Sequence, residues 1–168
     1  KGIEDNSVDF VVTFQVIEHI KDDKQFLREI YRVLKPGGKM ILTTPNILMS
    51  LTRNPWHFRE YTPDKMREVL ESSFEKYELR GVFGNEKTME YYIKNKESVN
   101  KIIRFDIFNM QYWLPRWILR IPYDILNRFN RHNLQDDNQD IVNTIRHTDY
   151  SILASNNECF DHYCIATK

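Results

Sequence analysis

The stretch VDFVVTFQVIEHI, from Val8 to Ile20, decides the fold. It begins with a near-continuous apolar run, Val8–Phe14, which predicts a short strand buried on both faces, as in a parallel sheet covered by helices. It ends in an ionisable pair, Glu18 and His19, immediately after that strand. Because ligands of open α/β sheets bind beyond the carboxyl ends of the strands, we expect this pair to face a binding crevice.

A helix and a second strand follow this stretch. Asp22 and Asp23 are favourable residues for the start of a helix, and apolar residues then recur at helical spacing to about residue 34. The sequence KPGG, residues 35–38, predicts the end of the helix and a tight turn, and KMILTTP, residues 39–45, predicts a second buried strand. Together they predict a βαβ unit with a right-handed crossover.

The rest of the chain has a less regular pattern. A long connection, residues 46–61, leads to a helix that starts at Thr62 with Pro63 in its first turn. Residues 76–84 and 159–168 each predict a strand. The region between them, residues 86–157, is rich in aromatic and basic side chains, and Pro115 and Pro122 are expected to break it into short helical pieces.

Composition excludes several classes of protein. The chain has 168 residues, enough for one domain with a core, and 24 basic against 24 acidic side chains, which removes any global electrostatic argument for nucleic-acid binding.

Cys159 and Cys164 are expected to be reduced core residues. We see neither a membrane-spanning run nor a signal peptide, which favours the cytoplasm. The first residue is Lys1, and the first strand follows almost at once, so we expect part of a longer protein.

Three stretches carry a resemblance to a known family: DNSVDFVVTFQVIEHI, REIYRVLKPGGKMILTTPN and NPWHFREYTPDKMREVL. Together they resemble class I S-adenosylmethionine (SAM)-dependent methyltransferases of the type 11 and 12 kind, with the ubiquinone-type O-methyltransferases as the most similar branch. The resemblance covers roughly residues 4–84 and 158–168, and LKPGG is its most specific element.

The resemblance implies an α/β fold, the C-terminal portion of a Rossmann-like seven-stranded sheet. The strands would be the fourth, fifth, seventh and sixth in spatial order, with the last strand antiparallel and a helical insertion before it. The chain, residues 1–168, would be a single partial domain, with its core in 1–85 and 158–168 and an insertion or cap in 86–157. The implied cofactor is SAM, whose Gly-rich loop the chain lacks, so we expect this truncated chain to bind SAM weakly and to be inactive alone.

In the sheet that the resemblance implies, residues 8–14 would be a central strand, and without the first strand beside it we expect one edge of this strand to be unpaired. An exposed apolar edge strand is prone to pairing and aggregation. We therefore expect this edge to be covered by an N-terminal half that precedes the chain or by a second copy. The same edge supports a rival interpretation, in which the chain is a non-catalytic interaction module that pairs through its open sheet edge.

The resemblance also assigns residues to the site. Phe14, Gln15 and Val16 would lie beside the methyl donor, and Glu18, His19 and His57 would act at the acceptor. A methyl transferase aligns the nucleophile and, for a hydroxyl, removes its proton, and a histidine can serve as that base. The competing interpretation makes Glu18 a helix-start carboxylate, His19 a hydrogen-bonded, half-buried imidazole, and His57 part of a loop held by aromatic packing and an Arg59–Glu60 surface network.

A metal site is a further alternative. Some relatives carry Glu-x-x-Glu-His after this strand and a later His, and this chain has Gln15, Glu18, His19 and His57 at those positions. A neutral amide is a poor ligand for a dication, so we expect no metal and keep Glu18, His19 and His57 only as weak candidate ligands.

The intact protein is expected to be an enzyme that methylates an oxygen of a small-molecule, sugar or lipid-linked acceptor. No nucleic-acid partner is expected. The aromatic and basic segment 101–132 predicts a helical cap, with a substrate lid and a membrane-surface helix as alternatives. A Rossmann-type oxidoreductase fits the LKPGG and HFREYT stretches less well.

Overall fold

The computed structural model describes residues 2–104, 110–137 and 139–168. Phe105, Asp106 and Phe108 of the aromatic and basic segment therefore lie outside the described residues. Two compact units divide the chain: Lys1–Ser50, His57–Phe83 and Ile152–Lys168 form a sheet unit, and Leu51–Trp56 and Gly84–Ser151 form a helical unit.

A five-stranded sheet runs through the fold in the order β1-β2-β5-β3-β4. The strands are β1 (Val8–Phe14), β2 (Leu34–Pro45), β3 (Lys76–Gly84), β4 (Tyr150–Ala154) and β5 (Asp161–Thr167). β1 and β2 are parallel, whereas β5 is antiparallel to both β2 and β3. The insertion of the final antiparallel strand between two earlier strands is the arrangement that the resemblance implied.

The first helix, α1 (Asp23–Val33), begins and ends as the sequence predicts. The carboxylate of Asp22 accepts a hydrogen bond from the backbone N–H of Gln25 at 2.8 Å, which satisfies one of the free donors of the first turn. Leucine and isoleucine side chains on one face of α1 then pack into the core.

The KPGG stretch differs from its prediction. It does not separate helix from strand, because β2 already starts at Leu34, which pairs with Val8, and the pairing resumes at Lys39 opposite Phe10 after a shift of register. The four residues are therefore an irregularity within the strand. Gly37 has φ +80°, and a Cβ on Gly38 would lie 2.9 Å from the carbonyl oxygen of Lys35, so both positions favour glycine.

The core lies on one face of the sheet. α1 and α2 (Pro63–Glu71) pack there against Met40 and Leu42 of β2. The prediction that β1 is buried on both faces is wrong, because Phe10, Val12 and Phe14 are each more than half exposed. Their side chains alternate with Val11 and Thr13, so they point to the sheet face that this core does not cover.

The helical unit contains α3 (Glu86–Ile103), α4 (Met110–Trp113), α5 (Arg116–Asp137) and α6 (Gln139–Val142). The prediction that Pro122 breaks this region is wrong, since Pro122 lies inside α5. A proline inside a helix removes one backbone hydrogen bond and can kink the helix without ending it. The predicted helical insertion 86–157 also contains the strand β4, and its position as an insertion stays a prediction.

Cys159 and Cys164 are free thiols and both are buried, as expected for reduced core residues. In the part of the chain that the structure describes, no helix combines the length and the apolar character that crossing a membrane requires.

Candidate functional site at the carboxyl end of β1

The chain turns sharply where β1 ends. Gln15 has φ +55°, in the left-handed region, and it leads into a short 3-10 helix, Ile17–His19. This turn directs the Glu18 side chain into the protein, where it is 1% exposed and its Oε2 accepts a hydrogen bond of 2.8 Å from the Thr44 hydroxyl. Thr44 lies at the carboxyl end of β2, so the two parallel strand ends hold this carboxylate together.

The loop that carries His57 is fastened to the same turn. The backbone N–H of Phe58 donates to the carbonyl of Glu18 at 2.6 Å. Arg59 forms an ion pair with Asp23, the second residue of the α1 start signal, and the Tyr61 hydroxyl donates to the same carboxylate at 3.0 Å. Burial works to raise the pKa of Asp23, but the hydrogen bonds from Arg59 and Tyr61 and the Arg59 charge outweigh it, so that the pKa lies below its ordinary value.

His57 is oriented by a carboxylate from its own loop. Its Nδ1 lies 2.6 Å from Glu60 Oε1, and the hydroxyl of Ser50 donates to the other oxygen of Glu60. An Arg59–Glu60 network was the alternative for this loop, and it is wrong: Arg59 pairs with Asp23 and Glu60 with His57. The loop therefore places an imidazole with a fixed orientation beside the β1 turn.

Glu18, His19 and His57 converge in space. One carboxylate oxygen and one ring nitrogen from each histidine all lie within 4.8 Å of one another. The rings of His19 and His57 meet edge to face, with centroids 4.7 Å apart. Since Glu18 is buried and the His19 side chain is 45% exposed, the cluster runs from the interior to the surface. Such a group can move a proton or hold a metal ion.

Gln15 takes part in a different contact. Its Nε2 donates to Asp161 Oδ1 at 3.2 Å and lies 3.5 Å from the Thr43 hydroxyl. Burial raises the pKa of Asp161; the Gln15 hydrogen bond opposes that shift, and the charge of Glu18 adds to it. Gln15 stands where the metal pattern has its first ligand. In this structure its side chain is hydrogen-bonded to Asp161, the first residue of β5.

The surface beside Gln15 fits part of the implied cofactor. Phe14 and Val16, the residues before and after Gln15 in the chain, expose apolar side chains that can contact an adenosyl group. The five glycines of the chain stand at positions 2, 37, 38, 81 and 84, none of which forms a Gly-x-Gly loop after a strand. The residues present therefore fit one wall of a SAM site.

Sequence reasoning missed Thr44 and Asp161, and it gave Glu60 the wrong partner, Arg59. Thr44 and Asp161 are at strand ends that become neighbours of the β1 turn only through the sheet order. Glu60 follows His57 by three residues in a segment without helical or strand periodicity, so no pattern marks it as a partner. For Thr44 the sequence does contain one signal: it lies at the carboxyl end of a predicted parallel strand, where ligand sites of such sheets occur.

Known proteins resemble this chain in sequence. Residues 2–42 match the family described as "Methyltransferase domain". A probable SAM-dependent methyltransferase of Mycolicibacterium smegmatis is 47% identical over 87 residues, which cover 48% of this chain and 34% of that protein. A ubiquinone biosynthesis O-methyltransferase of Pseudomonas aeruginosa is 26% identical over 113 residues, covering 57% of this chain and 49% of that protein. The chain thus spans about a third to a half of the length of these relatives.

The fold is similar to that of a solved structure. A SAM-dependent methyltransferase from Thermotoga maritima, described as a possible histamine N-methyltransferase, superposes with a TM-score of 0.55. The match covers 99% of this chain and 58% of that one at 14% identity, so it shows the fold alone. The fold is that of a Rossmann-like α/β protein. The sequence matches confirm the resemblance to class I SAM-dependent methyltransferases.

Proposed function

We propose that the protein to which this chain belongs is a SAM-dependent methyltransferase that transfers a methyl group to an oxygen of a small-molecule, sugar or lipid-linked acceptor. The observation that carries the proposal is the convergence of Glu18, His19 and His57 at the carboxyl end of β1. SAM as the cofactor is supported by the names of the relatives and by the apolar wall at Phe14 and Val16.

SAM, when bound, supplies a methyl group that is already activated on a sulfonium. The residues of this chain then have to position the acceptor and accept its proton. An ionised carboxylate only accepts hydrogen bonds, so the 2.6 Å contact makes Nδ1 of His57 the donor to Glu60. The tautomer that results has a lone pair on Nε2, and we assign the removal of the acceptor proton to that atom.

Glu18 and His19 complete the proposed arrangement. The buried Glu18 carboxylate is held by Thr44 and lies 4.0 Å from Nε2 of His19. His19, which reaches the surface, is suited to contact the acceptor or to pass its proton to solvent.

The experiment measures SAM binding by calorimetry and transfer of a labelled methyl group to a small-molecule extract, using the whole protein. His57→Gln is expected to lower the transfer rate by roughly 10²–10⁴-fold without weakening SAM binding, as removal of a general base does. His147→Gln, a matched change at an exposed histidine of the helical unit, should leave the rate unchanged. A whole protein that does not bind SAM would exclude the proposed function.

A second role for the same cluster is favoured by one observation. Two imidazoles and one carboxylate with ligand atoms within 4.8 Å of one another form a donor set that suits a divalent transition metal, and Glu60 orients His57 as carboxylates orient metal-bound histidines. A metal ion there would lower the pKa of an acceptor hydroxyl. Dialysis against a chelator separates the two roles: transfer that persists supports His57 as a base, and transfer lost and then restored by added metal supports the metal site.

A further inference from the structure

The helical unit contains a cavity of about 440 Å³, which is built entirely from its own residues. Its walls are mostly aliphatic and come from α3, α4–α5 and the segment 51–56. The aliphatic residues that line it are Val99, Ile103, Leu114, Ile118, Leu119 and Leu126. Pockets for small organic ligands have volumes of roughly 300–1,000 Å³ and predominantly apolar linings, so this cavity has the size and chemistry of a ligand site.

The cavity is also lined by polar residues, namely Thr52, Arg53, Gln111, Tyr123, Asn127 and Asn130. Asn130 is 7% exposed, and its amide is satisfied inside the protein: Oδ1 accepts from Ser98 at 2.6 Å and Nδ2 donates to Asn95 at 3.1 Å. These contacts connect α3 to α5 and leave a buried polar group paired with protein. The side-chain amide of Asn130 is therefore used within the protein and is not offered to a ligand.

Arg53 is the charged residue of the lining. Its Nη1 donates to the backbone carbonyl of Gln111 at 2.7 Å, a contact that uses one of its five N–H donors and holds the guanidinium at the cavity. A guanidinium with donors to spare binds carboxylates and phosphates, often with two hydrogen bonds. An aliphatic cavity with one fixed cation matches an amphiphile that has a hydrocarbon chain and an anionic head.

The outer face of α5 is also apolar. Trp117, Ile121 and Ile125 follow one another at i, i+4 and i+8, and they are 72%, 71% and 63% exposed. The same helix contributes Ile118, Leu119 and Leu126 to the cavity, so it is hydrophobic on two sides. A helix of this kind is normally buried in protein or in lipid. One side of α5 lines an aliphatic cavity, and its other side exposes aromatic and aliphatic side chains. Such a helix is suited to bind a lipid.

From these observations we propose that the helical unit is a binding site for the hydrocarbon chain of an anionic single-chain lipid, with Arg53 contacting the head group. The site is separate in its residues from Glu18, His19 and His57, and binding there requires neither SAM nor methyl transfer. The proposal therefore goes beyond the proposed function, and either one can fail while the other holds.

The first test is a calorimetric titration of the protein, without SAM, with octanoate, decanoate and dodecanoate. The expected result is saturable binding with one site, in which the affinity rises about tenfold for each added pair of methylenes, the gain expected for burying hydrocarbon. Dodecanol in place of dodecanoate should bind more weakly, and Arg53→Gln should remove the difference between the two. Absence of saturable binding for all three acids would overturn the proposal.

Matched substitutions locate the site. Leu119→Trp fills the cavity and should abolish dodecanoate binding, whereas Ile121→Trp adds the same ring to the exposed face of the same helix and should preserve it. If Leu119→Trp does not fold, a second pair on α3 replaces it. Val99→Trp is the cavity variant, and Ile93→Trp is the control at an exposed position. Circular dichroism confirms that the variants are folded. Unchanged dodecanoate binding in both folded cavity variants would contradict the assignment.

A last experiment tests whether the bound hydrocarbon chain comes from a free amphiphile or from a membrane lipid. Vesicles of phosphatidylcholine and phosphatidylglycerol are sedimented with the protein. Co-sedimentation that Ile121→Asp abolishes, while dodecanoate binding persists, assigns the source to a bilayer contacted by the outer face of α5. Dodecanoate binding without co-sedimentation assigns it to free amphiphiles. Both outcomes support the cavity as the chain-binding site.

Discussion

Gln15 combines backbone strain with a specific hydrogen bond. Its φ of +55° lies in a region that costs a residue with a Cβ roughly 1–2 kcal/mol, and its amide donates to Asp161. The sharp turn at this residue brings Glu18 into the interior while Val16 stays partly exposed. Strain at a ligand-facing turn is typical of positions where the geometry of a site determines the residue's conformation.

The strain at Gln15 can be measured by comparing Gln15→Gly with Gln15→Ala. Both changes remove the hydrogen bonds of the amide, but only alanine keeps the Cβ that disfavours a positive φ. After allowance for the greater freedom of glycine in the unfolded chain, we expect Gln15→Gly to be more stable than Gln15→Ala by about 1 kcal/mol in urea unfolding. Equal free energies of unfolding for the two variants would show that the turn relaxes to a negative φ.

Glu60 is the residue that orients His57. We expect Glu60→Gln in the whole protein to lower methyl transfer by roughly 10- to 100-fold, because the isosteric amide keeps the packing of the loop but can also donate a hydrogen bond, so it no longer fixes Nδ1 of His57 as the donor. The loss should fall on the turnover rate and not on SAM binding. Glu71→Gln, on the exposed end of α2, is the control and should have no effect on transfer. A Glu60→Gln enzyme with full activity would remove Glu60 from the proposed mechanism.

At the level of elements, β5 connects the sheet to the loop that carries His57. His162 of β5 is fully buried, and its Nε2 donates to the backbone carbonyl of Tyr61 at 2.8 Å. Burial lowers the pKa of His162, an effect that the Tyr61 hydrogen bond only partly opposes. The native protein therefore holds this imidazole neutral, whereas the unfolded chain binds a proton there at about pH 6.5.

This difference predicts a loss of stability in mild acid. Because the native state resists protonation of His162, the free energy of unfolding should fall as the pH drops from about 7 through the ordinary histidine pKa of about 6.5, until the native pKa is reached. His162→Gln retains a donor toward Tyr61 but cannot be protonated, so its stability should depend less on pH over that interval. Thermal unfolding at several pH values measures the slope, with His147→Gln as the exposed control; identical slopes for His162→Gln and wild type would contradict the prediction.

For the whole molecule, the uncovered side of β1 is the dominant feature of the sheet unit. Among the described residues β1 pairs only with β2, and Phe10, Val12 and Phe14 are exposed on one face of the strand. An edge that is unpaired, apolar and long enough to pair invites association with another strand. The expectation that a preceding segment or a second copy covers this edge stays a prediction, and the structure supplies the residues with which to test it.

We expect the 168-residue chain by itself to associate as its concentration rises, and Val12→Lys to reduce that association. A lysine on an edge strand opposes pairing because its charge would have to be desolvated or placed beside another copy of itself. Light scattering after size-exclusion chromatography measures the mass. Ile47→Lys, at an exposed apolar residue outside the strands, is the control. A chain that stays monomeric at all concentrations would show that this edge is not an association surface.

Local signals were sufficient for much of the fold. The apolar run Val8–Phe14, the cap at Asp22 and the periodicity of α1 identify the strand–helix–strand unit, because each depends on residues close together in sequence. The place of the final strand came from the resemblance. Burial of β1 on both faces was predicted wrongly, since an apolar run shows which side chains avoid water but not whether a covering layer belongs to the same chain.

The site itself depends on the tertiary structure. Sequence predicted that Glu18 and His19 follow a strand and that His57 lies in a loop, but the sheet order and the bonds of Phe58, Arg59 and Glu60 bring them together. The contact of Gln15 with Asp161 and the cavity between α3 and α5 have the same origin. Strand and helix propensities act over a few residues, whereas these contacts join segments distant in sequence, and only the packing of the whole chain determines which of them meet.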